Sequence, residues 1–120
     1  MSKTIFSTAE LNVLRNVMEQ QMDITQSFVE AAMDNNEVYV AVGHTKEYFQ
    51  YKNISDMLSR LDFDFDADEY KSMIAPLEYF VEMLSDTQDD IDMLFDCAAM
   101  LAKVKVWLVF YSSKPVQPDL

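Results

Sequence analysis

STAELNVLRNVMEQQMDITQSFVEAAMD, residues 7–34, is the stretch that decides the fold. It opens with a capping box, in which the Ser7 hydroxyl and the Glu10 carboxylate each accept a backbone N–H that would otherwise lack a partner. Behind the box, apolar residues recur at helical spacing over roughly 27 residues, which corresponds to about 40 Å of helix. They form two neighbouring stripes: Leu11, Leu14, Met18, Met22 and Val29, and Val13, Val17, Ile24 and Phe28. The pattern predicts one long amphipathic helix that ends at Asp34-Asn-Asn36.

The next segment, 37–51, is ambiguous between strand and helix. Val38, Val40 and Val42 alternate with other residues, and Gly43-His44 could form a turn back into a second strand. Such alternation around a turn predicts a β-hairpin. A lone two-stranded hairpin is marginal in water unless it packs on something, so a helix stays open as the alternative.

The second half of the chain contains further helical signals. Asn53 is placed to cap a short helix that ends near Leu61. A longer helix follows over 67–85, where Pro76 either kinks it or begins a new first turn. After Thr87-Gln-Asp-Asp90 a last helix begins, and its expected core face is Ile91, Leu94, Phe95, Ala98, Leu101 and Ala102.

These signals predict a mainly α fold, a bundle of three to four helices with a β-hairpin over 37–51. One glycine in 120 residues favours helices, because turns with positive φ usually need glycine. The alternative is an α+β fold whose small antiparallel sheet includes 104–111, where apolar residues alternate. A helix over this range would be apolar on all sides and would require a central or interface position. We expect one domain over 1–111 and a flexible C-terminal tail over 112–120.

Composition excludes several classes of function. A net charge of −12 repels nucleic acid and anionic lipid. One glycine excludes glycine-rich phosphate loops, and one histidine leaves little for a multi-histidine metal site. The one cysteine, Cys97, suits a reducing compartment, and no secretory signal or membrane span is visible. We therefore expect a cytoplasmic, non-enzymatic protein without cofactor or metal.

The negative charge is concentrated in one third of the chain. Residues 1–55 carry 7 acidic and 4 basic side chains (net −3), 56–96 carry 13 and 2 (net −11), and 97–120 carry 1 and 3 (net +2). Acidic residues recur at helical spacing in the middle third, with few lysines between them. This asymmetry indicates either a surface for a basic partner or a device for solubility.

The densest acidic run is 62–69, and it invites comparison with a calcium loop. Its carboxylates alternate as Asp62, Asp64, Asp66 and Asp68, but Ala67 stands where that loop needs glycine and Met73 where it needs glutamate. We therefore interpret the run as a capped loop between helices. The interleaved Phe63 and Phe65 are either aromatic anchors of an interface or core residues.

In size and charge the chain is similar to small acidic antagonists, namely phage-type DNA mimics and the immunity proteins that cap basic nucleases. We therefore predict an acidic antagonist that occupies the basic, nucleic-acid-binding surface of an enzyme, and itself binds neither nucleic acid nor membrane. Its partner-binding residues would be Asp62, Asp64, Asp66, Asp68, Glu78, Glu82, Asp86, Asp89, Asp90, Asp92, Asp96, Phe63 and Phe65.

Two alternatives remain open. The first is a small chaperone or adaptor that binds a partner through apolar helices, with sensitivity at positions such as Trp107 or Phe110. The second is a homodimer or larger homo-oligomer, which is suggested by the uniformly apolar C-terminal stretch.

Overall fold

The computed structural model describes residues 4–113 and contains four α-helices and no strand in that range. The helices are α1 (Thr8–Asp34), α2 (Val38–Ser59), α3 (Ala67–Thr87) and α4 (Ile91–Ser113). Short connections join them, so that the chain forms two helical hairpins, α1–α2 and α3–α4. The predicted mainly α fold is confirmed.

The capping box that begins α1 is formed as its sequence predicts. Ser7 Oγ accepts the N–H of Glu10 at 3.1 Å, and Glu10 Oε1 accepts the N–H of Ser7 at 2.8 Å. Helix α1 then runs unbroken for 27 residues to Asp34. The predicted first helix is therefore confirmed at both ends.

The β-hairpin predicted over 37–51 is wrong, because this segment forms the first half of α2. Packing along α1 overrides the strand preference of the valines, and Val38 and Val42 fall one helical turn apart on the exposed side. Gly43 lies inside the helix without a positive φ, so it makes no turn. Chain reversal occurs earlier, at Asn36, whose φ is 58°.

Glycine is also absent from the other two reversals. Leu61 and Gln88 follow α2 and α3 with φ of 57° and 54°. Residues in the left-handed conformation at helix ends are usually glycines. Here leucine and glutamine, which tolerate this conformation less well, occupy these positions. The scarcity of glycine is therefore compatible with the three helix–helix connections, of which two are three residues long.

The C-terminal part of the chain bears on three further expectations. The α+β alternative with strands over 104–111 is wrong, because this range continues α4 without a break. Pro76 lies buried inside a continuous α3 and begins no new helix. The predicted flexible tail, 112–120, is helical in its first two residues, and the remainder lies outside the described residues.

The core face predicted for α4 is also wrong in its most apolar members. Ile91 and Phe95 are more than half exposed, whereas Cys97, Met100 and Val104 are fully buried. Helix α4 is apolar on two opposite sides, and only one of them packs on α3 and α1.

The core lies where the first half of α1, the second half of α2, α3 and α4 meet. Its fully buried members include Leu14, Val17 and Met18 of α1, Ile54 of α2, Met73, Leu77 and Phe80 of α3, and Met100 of α4. The molecule measures 51 × 43 × 27 Å with a radius of gyration of 16.0 Å. A compact domain of this length would have about 13.5 Å, so the fold is extended. The extension comes from the distal halves of α1 and α2, which project beyond the core.

Candidate protein-interaction site

The acidic residues of the middle third are divided between the two ends of α3. Asp66 is the N-cap of this helix and Asp86 lies in its last turn, about 30 Å apart along the helix axis. The loop 62–66 belongs to the first end, and Asp89, Asp90 and Asp92 belong to the second. The predicted partner-binding residues therefore form two separate groups, which only Glu78 and Glu82 on α3 connect.

Several carboxylates at the first end serve as local caps. Asp62 Oδ1 accepts the N–H of Asp64 at 3.2 Å, and Asp66 Oδ1 accepts the N–H of Glu69 at 2.8 Å. Glu69 completes the second capping box and also accepts the side-chain amide of Asn53 at 2.7 Å. Within residues 4–113, no group of three or more His, Cys, Asp or Glu side chains is arranged to hold a metal ion. The geometry is that of a capped loop.

The two phenylalanines of this loop have different surroundings. Phe65 is only 6 % exposed and packs edge-on against Tyr70, with ring centroids 5.6 Å apart. The Tyr70 ring in turn packs against the Trp107 ring, with ring centroids 4.4 Å apart. Phe63 is half-buried and lines a shallow groove of about 360 Å³ beside Asp64. Phe65 is therefore a core residue and does not act as a surface anchor.

The outward face of α3 is acidic but partly neutralised. Glu78, Glu82 and Asp86 recur every fourth residue and are all exposed. Lys105 of α4 reaches Glu78 Oε2 at 3.3 Å, and Lys71 lies two turns earlier on the same face. Only the C-terminal half of the face, toward the α3–α4 turn, is uniformly negative.

The acidic residues at the α3–α4 turn lie at the N-terminus of helix α4. Asp90 Oδ1 accepts the N–H of Met93 at 3.0 Å, and Asp92 lies in the first turn. Asp89, Asp90 and Asp92 are exposed, and Asp96 is half-buried. Negative charge at a helix N-terminus is favourable, so these residues have a structural role besides their contribution to the surface.

A polar groove of about 730 Å³ lies between α2 and the start of α3. Lys46 and Lys71 line it together with four carboxylates, those of Glu47, Asp66, Asp68 and Glu69. Burial, and secondarily the charge of Glu47, raise the pKa of Tyr51 at its edge, so this hydroxyl stays protonated. The two lysines offset half of the four carboxylates, so the groove has mixed charge with a net negative balance.

The most distinctive surface of the molecule is apolar and lies on the projecting part of α1 and α2. We call it the hairpin groove. On α2, Val38, Val42 and Phe49 are 56 %, 61 % and 59 % exposed and share one helix face. On α1, Met22, Val29 and Met33 share the adjacent face. The two faces meet at a cavity of about 270 Å³ lined by Gln26, Val29, Thr45, Tyr48 and Phe49.

Contacts between α1 and α2 fix the relative position of the two helices that form the groove. The small buried residues Ala32 and Ala41 allow close approach of the two helices, and on the side opposite the groove Phe28 packs against His44 with ring centroids 5.2 Å apart. Neither α3 nor α4 contributes a residue to the cavity lining. The groove is therefore built by α1 and α2 alone.

Acidic residues line one side of the hairpin groove. On α1, Asp23, Glu30 and Asp34 each directly follow a groove residue, and Glu19, which is paired with Arg15, precedes Met22 by three positions; all four are exposed. On the α2 side the corresponding edge carries Tyr39, Lys46 and Gln50. The groove therefore combines an apolar floor with one negatively charged rim, which we call the acidic rim.

Sequence reasoning missed this site because it took the valines of α2 as a strand. The signal that could have identified it is the spacing of Val38, Val42 and Phe49, which are four and seven residues apart. Read as a helix face, it repeats in reverse the spacing of Met22, Val29 and Met33 on α1.

None of the helices in residues 4–113 combines the length and apolar character needed to cross a bilayer. Comparison of the chain with protein-family models, with curated protein sequences and with solved structures gave no match. The function must therefore be argued from the surfaces of this molecule.

Proposed function

We propose that the protein is a small adaptor or chaperone that binds an amphipathic, basic helical segment of another protein in the hairpin groove. The observation that carries this proposal is the exposed apolar floor of the groove bordered by the acidic rim. Exposed apolar patches rimmed by polar residues mark binding surfaces in soluble proteins. The role is one of binding and involves no catalysis.

The dimensions of the groove support a helical ligand of limited length. Val38 and Phe49 are eleven residues apart, so the floor is about 16 Å long and accommodates about three turns of a helix. A helix that binds in such a groove anchors apolar residues at i, i+3 or i+4, and i+7. Lysines or arginines along one flank of that helix would face the acidic rim. This charge complementarity would speed association and select one orientation of the bound helix.

A defined peptide tests the proposal. The probe is a fluorescent amphipathic peptide of about 15 residues, with leucines on one face and lysines on the other, titrated by anisotropy. We expect binding to the wild-type chain and at least a tenfold loss with Val42→Glu, because the new carboxylate lies on the apolar floor. A peptide with the same leucines and glutamates in place of the lysines should bind poorly.

The matched control is Val106→Glu, which places the same substitution at a similarly exposed position of α4, outside the groove. Equal loss of binding in both variants, or equal binding of both peptides, would contradict a specific groove. Circular dichroism of each variant confirms that its helices are intact.

The second candidate is an acidic antagonist of a basic protein, such as a nucleic-acid-handling enzyme. It is favoured by the exposed carboxylates of Glu82 and Asp86, which together with Asp89 form the uniformly negative end of α3. Such a surface steers a cationic cleft toward it, and the binding would be fast and sensitive to salt.

One capture experiment separates the two candidates. Wild type, Val42→Glu and a triple variant (Glu78→Lys, Glu82→Lys, Asp86→Lys) are immobilised, exposed to lysate and eluted along a salt gradient with identification by mass spectrometry. A basic partner released by moderate salt and lost only with the triple variant supports the antagonist. A partner lost only with Val42→Glu supports the adaptor.

A further inference from the structure

The outer side of α4 is a second apolar surface, and it lies outside the hairpin groove. Ile91, Phe95, Val106 and Val109 are 52 %, 66 %, 64 % and 69 % exposed. With Ala102, which is also exposed, they follow each other at intervals of three, four or seven residues and therefore share one face. We call this face the α4 stripe; it is about 27 Å long.

The inner side of the same helix is fully occupied. Cys97, Met100 and Val104 point toward α1 and α3 and are completely buried. The stripe lies on the opposite side, and the described residues 4–113 leave it exposed. A soluble helix that is apolar on two opposite faces has the character of an interface helix.

The order of residue sizes along the stripe has a two-fold pattern. In its central part, Ala102 and the half-buried Ala99 at the edge of the stripe lie next to the midpoint, and the large residues Phe95 and Val106 lie at equal distances on either side. When two such helices pair antiparallel about the midpoint between residues 100 and 101, Ala99 faces Ala102 and Phe95 faces Val106 of the second copy. Small residues at the crossing point allow close approach, while large ones fill the space further out.

Charge favours the same orientation. The first half of α4 carries Asp92 and Asp96, and the second half carries Lys103 and Lys105. Parallel pairing would align the aspartates of the two copies with each other, which is destabilising. Antiparallel pairing moves the aspartates of the two copies to opposite ends of the contact, while Lys103 and Lys105 of the second half remain paired with Glu10 and Glu78 within each chain.

The available area is sufficient for a reversible dimer. Phe95 is about two-thirds exposed and contributes roughly 130 Å², taking about 200 Å² for a whole aromatic side chain. With Ile91, Val106 and Val109 each more than half exposed, the stripe and its flanks offer an area on the order of 600 Å² per copy, the low end for specific interfaces. We propose that α4 pairs antiparallel with α4 of a second copy of this chain.

Sedimentation equilibrium of the full chain tests the proposal. From roughly 1 to 100 μM, where an interface of this size dissociates, we expect the mass to rise from 13.9 kDa toward twice that value. Val106→Glu and, independently, Ala102→Glu should each weaken the dimer at least tenfold, because each buries a carboxylate against the second copy. Both positions are exposed in the single chain, so the helices of the variants should remain folded.

Val42→Glu in the hairpin groove is the matched control, and it should leave the mass unchanged. A constant monomer mass overturns the proposal. A dimer that survives both α4 variants also overturns it, as does a dimer lost only with Val42→Glu, which would locate the contact in the hairpin groove.

Orientation is tested with a spin label at Asp92→Cys. Antiparallel pairing separates the two labelled positions by about 25 Å along the helix axis, whereas parallel pairing places them about one helix diameter apart. Cys97 is buried and its thiol pKa is raised to about 11, so it should label little, and the wild-type chain controls for this. A short distance overturns the antiparallel arrangement.

Discussion

Removal of the Lys103 ammonium is expected to destabilise the fold more than removal of any exposed cation of α4. Lys103 Nζ lies 2.7 Å from Glu10 Oε1, and the Glu10 side chain is only 7 % exposed. The ion pair joins the start of α1 to the middle of α4 across 93 residues. In Lys103→Met the carboxylate would remain buried without its cation, while the apolar stem of the side chain is retained.

The magnitude follows from the surroundings of the pair. Breaking a fully buried ion pair costs about 3–5 kcal/mol. Lys103 is 41 % exposed and the Ser7 N–H still donates to Glu10, so we expect a loss of about 2–3 kcal/mol in the free energy of unfolding at pH 7. Lys105→Met removes a pair of which both members are about half exposed, and it should cost no more than about 0.5 kcal/mol.

The effect should depend on pH with a definite sign. Burial raises the pKa of Glu10, but the hydrogen bonds from Lys103 and from the Ser7 N–H together outweigh it, and the net pKa is lowered. A lowered pKa contributes stability above the unfolded value, near 4.5, and this contribution is lost as pH falls through the folded pKa. Lys103→Met removes the Lys103 contributions that lower the pKa of Glu10 and leaves its burial and the Ser7 hydrogen bonds, so the pKa rises relative to the wild type and the variant's deficit should shrink as pH falls and Glu10 becomes protonated in both chains.

Urea denaturation followed by circular dichroism, at one fixed protein concentration, measures these differences at neutral pH and near pH 3.5. Glu10→Gln keeps the capping box, and it should restore part of the stability lost in Lys103→Met. The reasoning would be refuted if Lys103→Met cost no more than Lys105→Met, or if its deficit were the same at both pH values.

Two further predictions concern backbone conformation and the thiol. Gly43→Ala should stabilise the fold by about 0.5–1 kcal/mol, because Gly43 is helical and an added Cβ meets nothing within 4 Å. Leu61→Gly should stabilise the fold by a similar amount, because glycine adopts the left-handed conformation of residue 61 without strain. A lowered thermal midpoint in either variant would contradict this account. Burial raises the pKa of Cys97 to about 11, so its reaction with a disulfide reagent at pH 7.5 should be at least about a hundredfold slower in the native chain than in urea; comparable rates would exclude the buried position.

The helices that could be predicted from the sequence are those with strong local signals. The capping box at Ser7 and Glu10 and the long apolar stripes behind it specify α1 within the chain itself. The segment 37–51 could not be assigned, because Val38, Val40 and Val42 fit both a strand and a helix, and only packing along α1 decides. In α4 the helix has two apolar faces, and local sequence does not determine that Cys97 and Met100 point inward while Phe95 points outward.

The candidate sites were less predictable than the fold. Most of the acidic residues are exposed, whereas Asp62 and Asp96 are half-buried, and their division between the ends of α3 depends on the length of that helix and on the neighbours of Asp66 and Asp86. The acidic rim could not be recognised while 37–51 was interpreted as a hairpin, since the groove exists only when Val29 of α1 lies beside Thr45 and Phe49 of a helical α2. Tertiary placement of each helix, which no local pattern encodes, accounts for both differences.

The projection of α1 and α2 beyond the core has a consequence for the cooperativity of folding. Residues near Ala32 and Ala41 are secured mainly by contacts between two helices, whereas Leu14 and Ile54 are enclosed by the core that all four helices build. Local opening should therefore begin at the far end of this hairpin and exchange its amide hydrogens well before the core does. A partner helix in the groove would supply the missing third layer, so that recognition and consolidation of this half of the molecule would be a single event.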